Sequence, residues 1–202
     1  MPRDNSTFRE KVALRRRAMA QIDVPVVLET HGGAGKLYRA CYAHVAQGVV
    51  FERDARKAEV LAMQRPTWAV YEGDCVAALR DDAAAWQETT LLDCDPYGEP
   101  WPVLRAFFGS TRAFAPRMAV VVNDGLRQKI MAGGAWSTAS LQDAVAVFGN
   151  DIYHRYLDVC AWLLQQIAPQ AGYAVRRFEG YYCGVRGNMT HYLAVLEQGE
   201  LG

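Results

Sequence analysis

Short apolar runs that end in acidic or amide residues recur along the chain, and most are followed by a segment long enough for a helix. The runs span residues 24–29, 48–54, 68–71, 89–94 and 117–123. Apolar runs of this length, bounded by turn residues and separated by helical segments, indicate the buried strands of a parallel α/β sheet. Such sheets carry their chemistry at the carboxyl ends of the strands, so the polar residues there are the candidate functional residues.

Two more apolar segments, residues 173–182 and 190–197, close the chain without a helix-length segment between them, which predicts an antiparallel hairpin. The predicted fold is therefore α/β: a seven-stranded, mostly parallel, doubly wound sheet with an antiparallel C-terminal hairpin and helices on both faces. We expect residues 21–202 to form a single domain, preceded by a basic helix over residues 1–20.

The helices between the strands are predicted from caps and apolar periodicity. Residues 125–149 are predicted to be irregular apart from a short helix capped by Ser140, and suit either a substrate lid or a connector. The remaining helices are predicted at residues 36–46, 55–64, 75–86, 101–108 and 150–168.

Composition restricts the function classes. Lysine plus arginine and aspartate plus glutamate each number 22, and this balance argues against a general coat for nucleic acid. The five cysteines include no C-x-x-C pair, so neither a disulfide framework nor a zinc site is expected, and a reducing cytosol is the default. No apolar run approaches the ~20 residues of a membrane span. We expect a cytoplasmic protein without a membrane segment or a resident metal.

The predicted N-terminal helix carries a cluster of basic residues. A cluster of this kind could contact phosphate groups, or it could be an ordinary solvated helix face. Its members are Arg9, Lys11, Arg15, Arg16 and Arg17.

A glycine loop follows the first strand. A phosphate-binding Walker loop does not fit, because Leu37 stands where serine or threonine must hold magnesium. A dinucleotide loop fits poorly, because Tyr38 stands where the third glycine belongs. The pattern that remains is acid-x-x-x-Gly-x-Gly, formed by Glu29, Gly33 and Gly35.

That spacing resembles the first motif of the Rossmann-like S-adenosylmethionine methyltransferases, with His31 at a position where the motif often has glycine or an aromatic residue. The resemblance implies S-adenosylmethionine as the cofactor, bound by the loop and by acids at the next strand ends. Glu52, 17 residues beyond Gly35, suits the ribose hydroxyls. Asp74 suits the adenine amino group or a helix N-cap, and Asp93 completes the implied cofactor site.

The fourth strand leads into Asp95-Pro96-Tyr97-Gly98. This stretch is similar to the D-P-[F/Y]-G motif of the tRNA guanine-N2 dimethyltransferase family, in which an acid also stands two residues earlier. An exocyclic base amine is a poor nucleophile, and the Asp95 carboxylate and the Pro96 carbonyl could accept its N–H groups and orient its lone pair. Tyr97 would stack on the base, and Gly98 allows the turn.

The predicted function is S-adenosylmethionine-dependent N-methylation of an exocyclic amine of a nucleic-acid base, with RNA favoured over DNA. Asp95, Pro96 and Tyr97 are the predicted catalytic residues, and Gly98, Asn123 and Trp136 the predicted substrate-binding ones. The tRNA enzymes have a further domain after the catalytic one, so DNA, another RNA, a free nucleoside and a protein amide stay open as acceptors. The oligomeric state is also open.

Two other functions compete. Acids and an amide after the fourth and fifth strands (Asp93, Asp95, Asn123 and Asp124) could imitate the oxygen-rich set with which catechol-type O-methyltransferases hold magnesium. A non-catalytic module that binds the cofactor and serves as a partner subunit is the third possibility.

Overall fold

The computed structural model describes residues 7–82, 89–132 and 139–199. Its seven strands are β1 (Val26–Glu29), β2 (Gln47–Glu52), β3 (Ala69–Glu72), β4 (Leu91–Cys94), β5 (Arg117–Asp124), β6 (Tyr173–Cys183) and β7 (Met189–Gln198). They form one sheet in the order β3-β2-β1-β4-β5-β7-β6. The first five strands are parallel, and β7 lies antiparallel to both β5 and β6. The predicted fold class is confirmed.

Helices cover both faces of the sheet. They are α1 (Phe8–Met19), α2 (Ala55–Gln64), α3 (Cys75–Arg80), α4 (Trp101–Phe108), α5 (Leu126–Met131), α6 (Ala139–Phe148) and α7 (Tyr156–Ile167). Neighbouring strand residues point to opposite faces, so Val27 packs with α1 and α2 whereas Leu28 packs with α3, α4 and α7. In the described segments, none of the helices is long and apolar enough to cross a membrane.

Four helix predictions differ from the structure. The helix predicted over residues 75–86 is too long, because α3 ends at Arg80 and Asp82 takes a positive φ of 47°. The segment predicted as a helix over residues 36–46 contains a five-residue π-helix, Tyr38–Tyr42. Residues 125–149 were predicted to be largely irregular, yet α5 begins directly after β5 and α6 extends over ten residues. Asn150 does not cap α7, because Gly149 takes a positive φ of 57° and a 3-10 turn, Gly149–Ile152, separates α6 from α7.

The N-terminal helix is part of the packed structure. Leu14 and Ala18 of α1 are buried against the sheet, beside Val121 of β5 and Leu193 of β7. Arg15 is fully buried as well, so the basic cluster is neither a uniform phosphate-binding face nor a uniform solvated face. The predicted division of the chain at residue 20 stays a prediction.

Candidate functional site

A cavity of about 600 Å³ opens at the carboxyl ends of β1 to β4, where the sequence predicted the site. Eight predicted site residues line it: Glu29, His31, Gly33, Glu52, Asp74, Asp95, Pro96 and Tyr97. Four others do not: Gly35, Asp93, Gly98 and Asn123. Trp136 lies outside the described residues. The cavity therefore joins the glycine loop to the Asp95-Pro96-Tyr97-Gly98 turn, which we call the Asp95 corner.

The glycine loop is held to the end of β2 by a carboxylate. Gly33 has a φ of +55°, which favours glycine, and its N–H donates to Glu52 Oε2 at 2.7 Å. Glu52 Oε1 accepts from the Asp54 N–H at 2.9 Å. The carboxylate is thus fixed through one backbone bond to each oxygen, and the further lone pairs leave it able to accept two hydroxyl groups.

Asp74 is a helix N-cap that also lines the cavity. Its Oδ1 accepts from the N–H groups of Val76 and Ala77 at 2.9 and 3.0 Å. Capping uses only Oδ1, so the structure is compatible with both roles predicted for this residue. The N-cap is confirmed, and the adenine contact stays a prediction.

The two other predicted residues at this end are restrained by neighbours. His31 Nδ1 lies 2.8 Å from Thr30 Oγ1, and burial lowers the pKa of His31 although Asp95 and Glu52 oppose the shift. His31 therefore presents a neutral imidazole to the cavity at pH 7. Glu29 is buried and receives Arg65 Nη1 at 2.5 Å; burial raises the pKa of this carboxyl, and the guanidinium opposes that rise.

The Asp95 corner presents its side chains at the mouth of the cavity. Tyr97 is 99% exposed, so its ring is free to contact a ligand. Gly98 has a φ of +132°, and its carbonyl accepts from the Gly125 N–H at 2.9 Å, which fastens the corner to the end of β5. Gly98 therefore shapes the corner without lining the cavity.

The Lys11 side chain is hydrogen-bonded to both carboxylate oxygens of Asp95. Its Nζ lies 2.8 Å from Oδ1 and 2.9 Å from Oδ2, and the two side chains are 16% and 18% exposed. Burial tends to raise the pKa of Asp95, but the charges of Lys11 and Arg15 outweigh it and hold that pKa below its ordinary value. Asp95 is consequently an anion at neutral pH.

Asp93 has a different position from the one the sequence predicted. Its carboxylate accepts Arg15 Nε at 2.7 Å, Arg15 Nη2 at 2.5 Å and the Tyr42 hydroxyl at 2.8 Å. Asp93 is fully buried and does not line the cavity. The strand-end acid expected at the cofactor instead anchors α1 to the sheet.

The polar residues that end β5 are also enclosed. Asn123 is fully buried, and neither its amide nitrogen nor its amide oxygen has a hydrogen-bond partner among the described residues. Asp124 accepts the Leu126 N–H at 2.7 Å and the Tyr156 hydroxyl at 2.9 Å, and burial raises its pKa to about 7. Neither residue lines the cavity, so the oxygen atoms proposed as magnesium ligands are not gathered in one open site.

Three residues near the Asp95 corner were not among the predicted site residues, although Lys11 was named in the basic cluster of the N-terminal helix. Phe8 and Lys11 line the cavity from α1, and their spacing of three residues on a helix was the available signal. His191 of β7 is fully buried opposite Asn123, and neither ring nitrogen has a hydrogen-bond partner among the described residues. Burial lowers the pKa of His191 to about 4, so its imidazole is neutral.

Comparisons with known proteins identify the fold. No family model and no curated protein matches the chain. Trm1 from Pyrococcus horikoshii, solved with S-adenosylmethionine, is similar over 95% of this chain and 54% of its own, at 10% identity and a TM-score of 0.67. The N-methyltransferase NodS from Bradyrhizobium japonicum WM9 is similar over 98% of this chain and 99% of its own, at 14% identity and a TM-score of 0.63.

An O-methyltransferase from Bacillus cereus, solved with S-adenosylhomocysteine, is similar over 98% of this chain and 84% of its own, at 11% identity and a TM-score of 0.61. The chain has the class I methyltransferase fold. It spans about half the length of Trm1. At these identities the likeness concerns the fold alone.

Proposed function

We propose that the protein is an S-adenosylmethionine-dependent N-methyltransferase. The observation that carries this proposal is the single cavity that joins Gly33 and Glu52 to the Asp95 corner. One side of it offers a fixed carboxylate for two ribose hydroxyls, and the other offers acceptors for an amine. Solved neighbours of the same fold contain S-adenosylmethionine or S-adenosylhomocysteine, which supports the same cofactor here.

One wall of the cavity suits the positive charge of this cofactor. S-adenosylmethionine supplies an electrophilic methyl group on a positively charged sulfur. His31 is neutral because burial lowers its pKa, and the carboxylate of Asp95 lines the same cavity, so this wall does not repel a cation. Glu52 and Asp74 would receive the adenosine, because their carboxylates are already fixed by backbone N–H groups.

The acceptor side favours an amino group. Asp95 already takes two hydrogen bonds from a nitrogen, that of Lys11, so the position suits an N–H donor. We propose that an acceptor amine displaces Lys11 and donates to Asp95 and to the Pro96 carbonyl, which orients the nitrogen lone pair toward the methyl group. The nitrogen becomes acidic as the new bond forms, so a strong base is not required.

A nucleic-acid base is the acceptor class that these surroundings support best. The exposed ring of Tyr97 offers a flat face for stacking, which is how extruded bases are held. Three exposed cations, Lys36, Arg53 and Lys57, line the cavity, and Arg9 and Arg16 are exposed on α1. These positive charges would attract a phosphate backbone. RNA is the proposed acceptor, in preference to DNA.

The test is transfer of a tritiated methyl group from the cofactor to tRNA, total RNA, DNA and small metabolites, compared side by side. We expect label in RNA, in an amount that falls sharply for Asp95→Asn, which keeps the shape of the side chain but loses its charge. Label confined to small metabolites would exclude the nucleic-acid acceptor. If calorimetry detects no binding of S-adenosylmethionine, the proposed methyltransferase activity is excluded.

Magnesium-dependent O-methylation has less support. Asp93 is bonded to Arg15 and Tyr42, and Asp124 is bonded to Tyr156, so neither carboxylate is free to bind a metal at the cavity. Adding a chelator to the transfer assay separates the two mechanisms, and we expect no loss of methyl transfer.

A further inference from the structure

The side-chain amine of Lys11 occupies the position proposed for the acceptor nitrogen. It is hydrogen-bonded to both oxygens of Asp95, and it lines the same cavity as Gly33 and Glu52. Its side chain is only 16% exposed. A primary amine is therefore held beside the proposed methyl donor by the acid proposed to orient acceptor amines.

We propose that Lys11 is a methylation site of the protein itself, modified within the same molecule. This inference rests on the proposed function, because it requires the cofactor to bind in the cavity. Lys11 would be methylated when no other acceptor has displaced it from Asp95. A methyl group would replace one of its three N–H donors and weaken its hold on the carboxylate.

The backbone of Lys11 is held in place by three contacts of α1. Arg15, one helical turn further on, is bonded to Asp93 through two nitrogens and is fully buried. The Tyr181 hydroxyl donates to the Glu10 carbonyl at 2.9 Å, and Arg17 Nε lies 2.9 Å from Glu179 Oε1. A nucleophile held near its target reacts as in an intramolecular reaction, which favours even a slow transfer.

The reaction balances without a further reagent. The ammonium of Lys11 first loses one proton to solvent, because the attacking nitrogen needs a free lone pair. Its Nζ then forms a bond to the methyl carbon, and the carbon–sulfur bond breaks with its electron pair passing to sulfur. The products are a monomethyl ammonium on Lys11 and S-adenosylhomocysteine, with one proton released overall.

The chain contains its own controls, because it has only four lysines. Lys36 and Lys57 line the same cavity and are exposed, but neither is hydrogen-bonded to Asp95. Lys129 lies near the Asp95 corner, since a methyl side chain at Gly98 would come within 3.4 Å of Lys129 Nζ. Indiscriminate chemical methylation would favour these exposed amines, whereas the proposed reaction selects Lys11.

The first measurement does not depend on turnover. Brief labelling of the free protein with an amine-reactive anhydride, followed by peptide mass mapping, reports how accessible each lysine is. We expect Lys11 to label several-fold more slowly than Lys36 and Lys57, and to label faster in Asp95→Asn. Equal labelling of Lys11 and Lys36 in the unmodified protein would show that Lys11 does not pair with Asp95, and would overturn the proposal.

The second measurement incubates the full chain with S-adenosylmethionine alone and maps the added methyl groups by mass. We expect methylation at Lys11 only, at a fractional rate independent of protein concentration, and its loss in Asp95→Asn. A mixture of Asp95→Asn, which retains Lys11, with Lys11→Arg, which retains Asp95, should stay unmodified if the transfer is intramolecular. Methylation in that mixture would overturn the within-molecule reaction.

A parallel reaction that contains RNA distinguishes this inference from the proposed function. If RNA is methylated but Lys11 stays unmodified both with and without RNA in the reaction, the inference is overturned and the proposed function stands. Absence of cofactor binding in calorimetry would overturn both.

Discussion

The two sides of the cavity hold their carboxylates in different ways. At the glycine loop, Glu52 and Asp74 are fixed by backbone N–H groups, and three of these four groups lie two or three residues away in the chain. At the other side, Asp95 of the Asp95 corner and the buried Asp93 just before it are paired with cationic side chains of α1, 84 and 78 residues away. The first arrangement is local to the sheet, and the second depends on a distant helix.

This difference separates a preformed site from one that has to be opened. Backbone N–H groups at strand ends and helix N-termini are present whenever the sheet is folded, so Glu52 and Asp74 are ready for a ligand. Lys11 is a flexible side chain whose ammonium can exchange for another N–H donor. Substitutions near the Asp95 corner should therefore affect stability and methyl transfer to the acceptor. Substitutions at the glycine loop should affect the affinity for the cofactor.

The largest expected effect is on folding. Arg15→Leu removes the guanidinium from a fully buried pair and leaves Asp93 without its counter-charge, so we expect a loss of about 3–5 kcal/mol in the free energy of unfolding. Urea unfolding at neutral pH measures it. Arg17→Ala is the matched control on the same helix, because its pair with Glu179 is half exposed and worth only about 0–1 kcal/mol. Similar losses for both would show that the Arg15–Asp93 pair does not anchor α1.

The fold was predictable because its signals are local. Each buried strand is an apolar run ending in a polar residue, and Asp54 could be recognised as a cap because it directly precedes a helical segment. The misassigned segments lack such signals. The turn at Gly149 and the π-helix after Gly35 depend on backbone conformations that periodicity does not encode.

The site was predictable on its glycine-loop side for the same reason. A carboxylate at the end of the strand that follows a glycine loop has to lie near that loop, and Glu52 does. The sequence could not show that Arg15 would enclose Asp93 or that Lys11 would reach Asp95. Those pairings depend on how α1 docks on the sheet, which no local pattern determines.

The second expected effect is on methyl transfer. Asp95→Ala removes the acceptor that would orient the amine, and we expect kcat to fall by about 10²–10³-fold, as for loss of one oriented polar group at a reacting atom. Cofactor affinity should change little, because Glu52 and Asp74 are untouched. Single-turnover transfer and calorimetry measure the two quantities. Equal loss of both would contradict the separation of the two sides.

The third expected effect is on cofactor affinity. Glu52→Ala removes a charged acceptor and the partner of the Gly33 N–H, so binding of S-adenosylmethionine should weaken by about 1–3 kcal/mol. Glu72→Ala is the matched control: Glu72 lies beside Glu52 in the register of β2 and β3 but does not line the cavity. Calorimetric titration of both variants decides the assignment, and unchanged affinity in Glu52→Ala would refute ribose binding.

The smallest expected effect separates two helix caps. Asp54 and Asp74 each accept a backbone N–H at the start of a helix, α2 and α3 respectively, and alanine at either should cost about 0.5–2 kcal/mol of stability. Only Asp74 lines the cavity, so only Asp74→Ala should also weaken cofactor binding. Thermal unfolding and calorimetry on the same two variants test this. If Asp74→Ala binds the cofactor as tightly as Asp54→Ala, Asp74 caps its helix and does nothing for the adenine, and the glycine-loop side binds the cofactor through Glu52 and the loop alone.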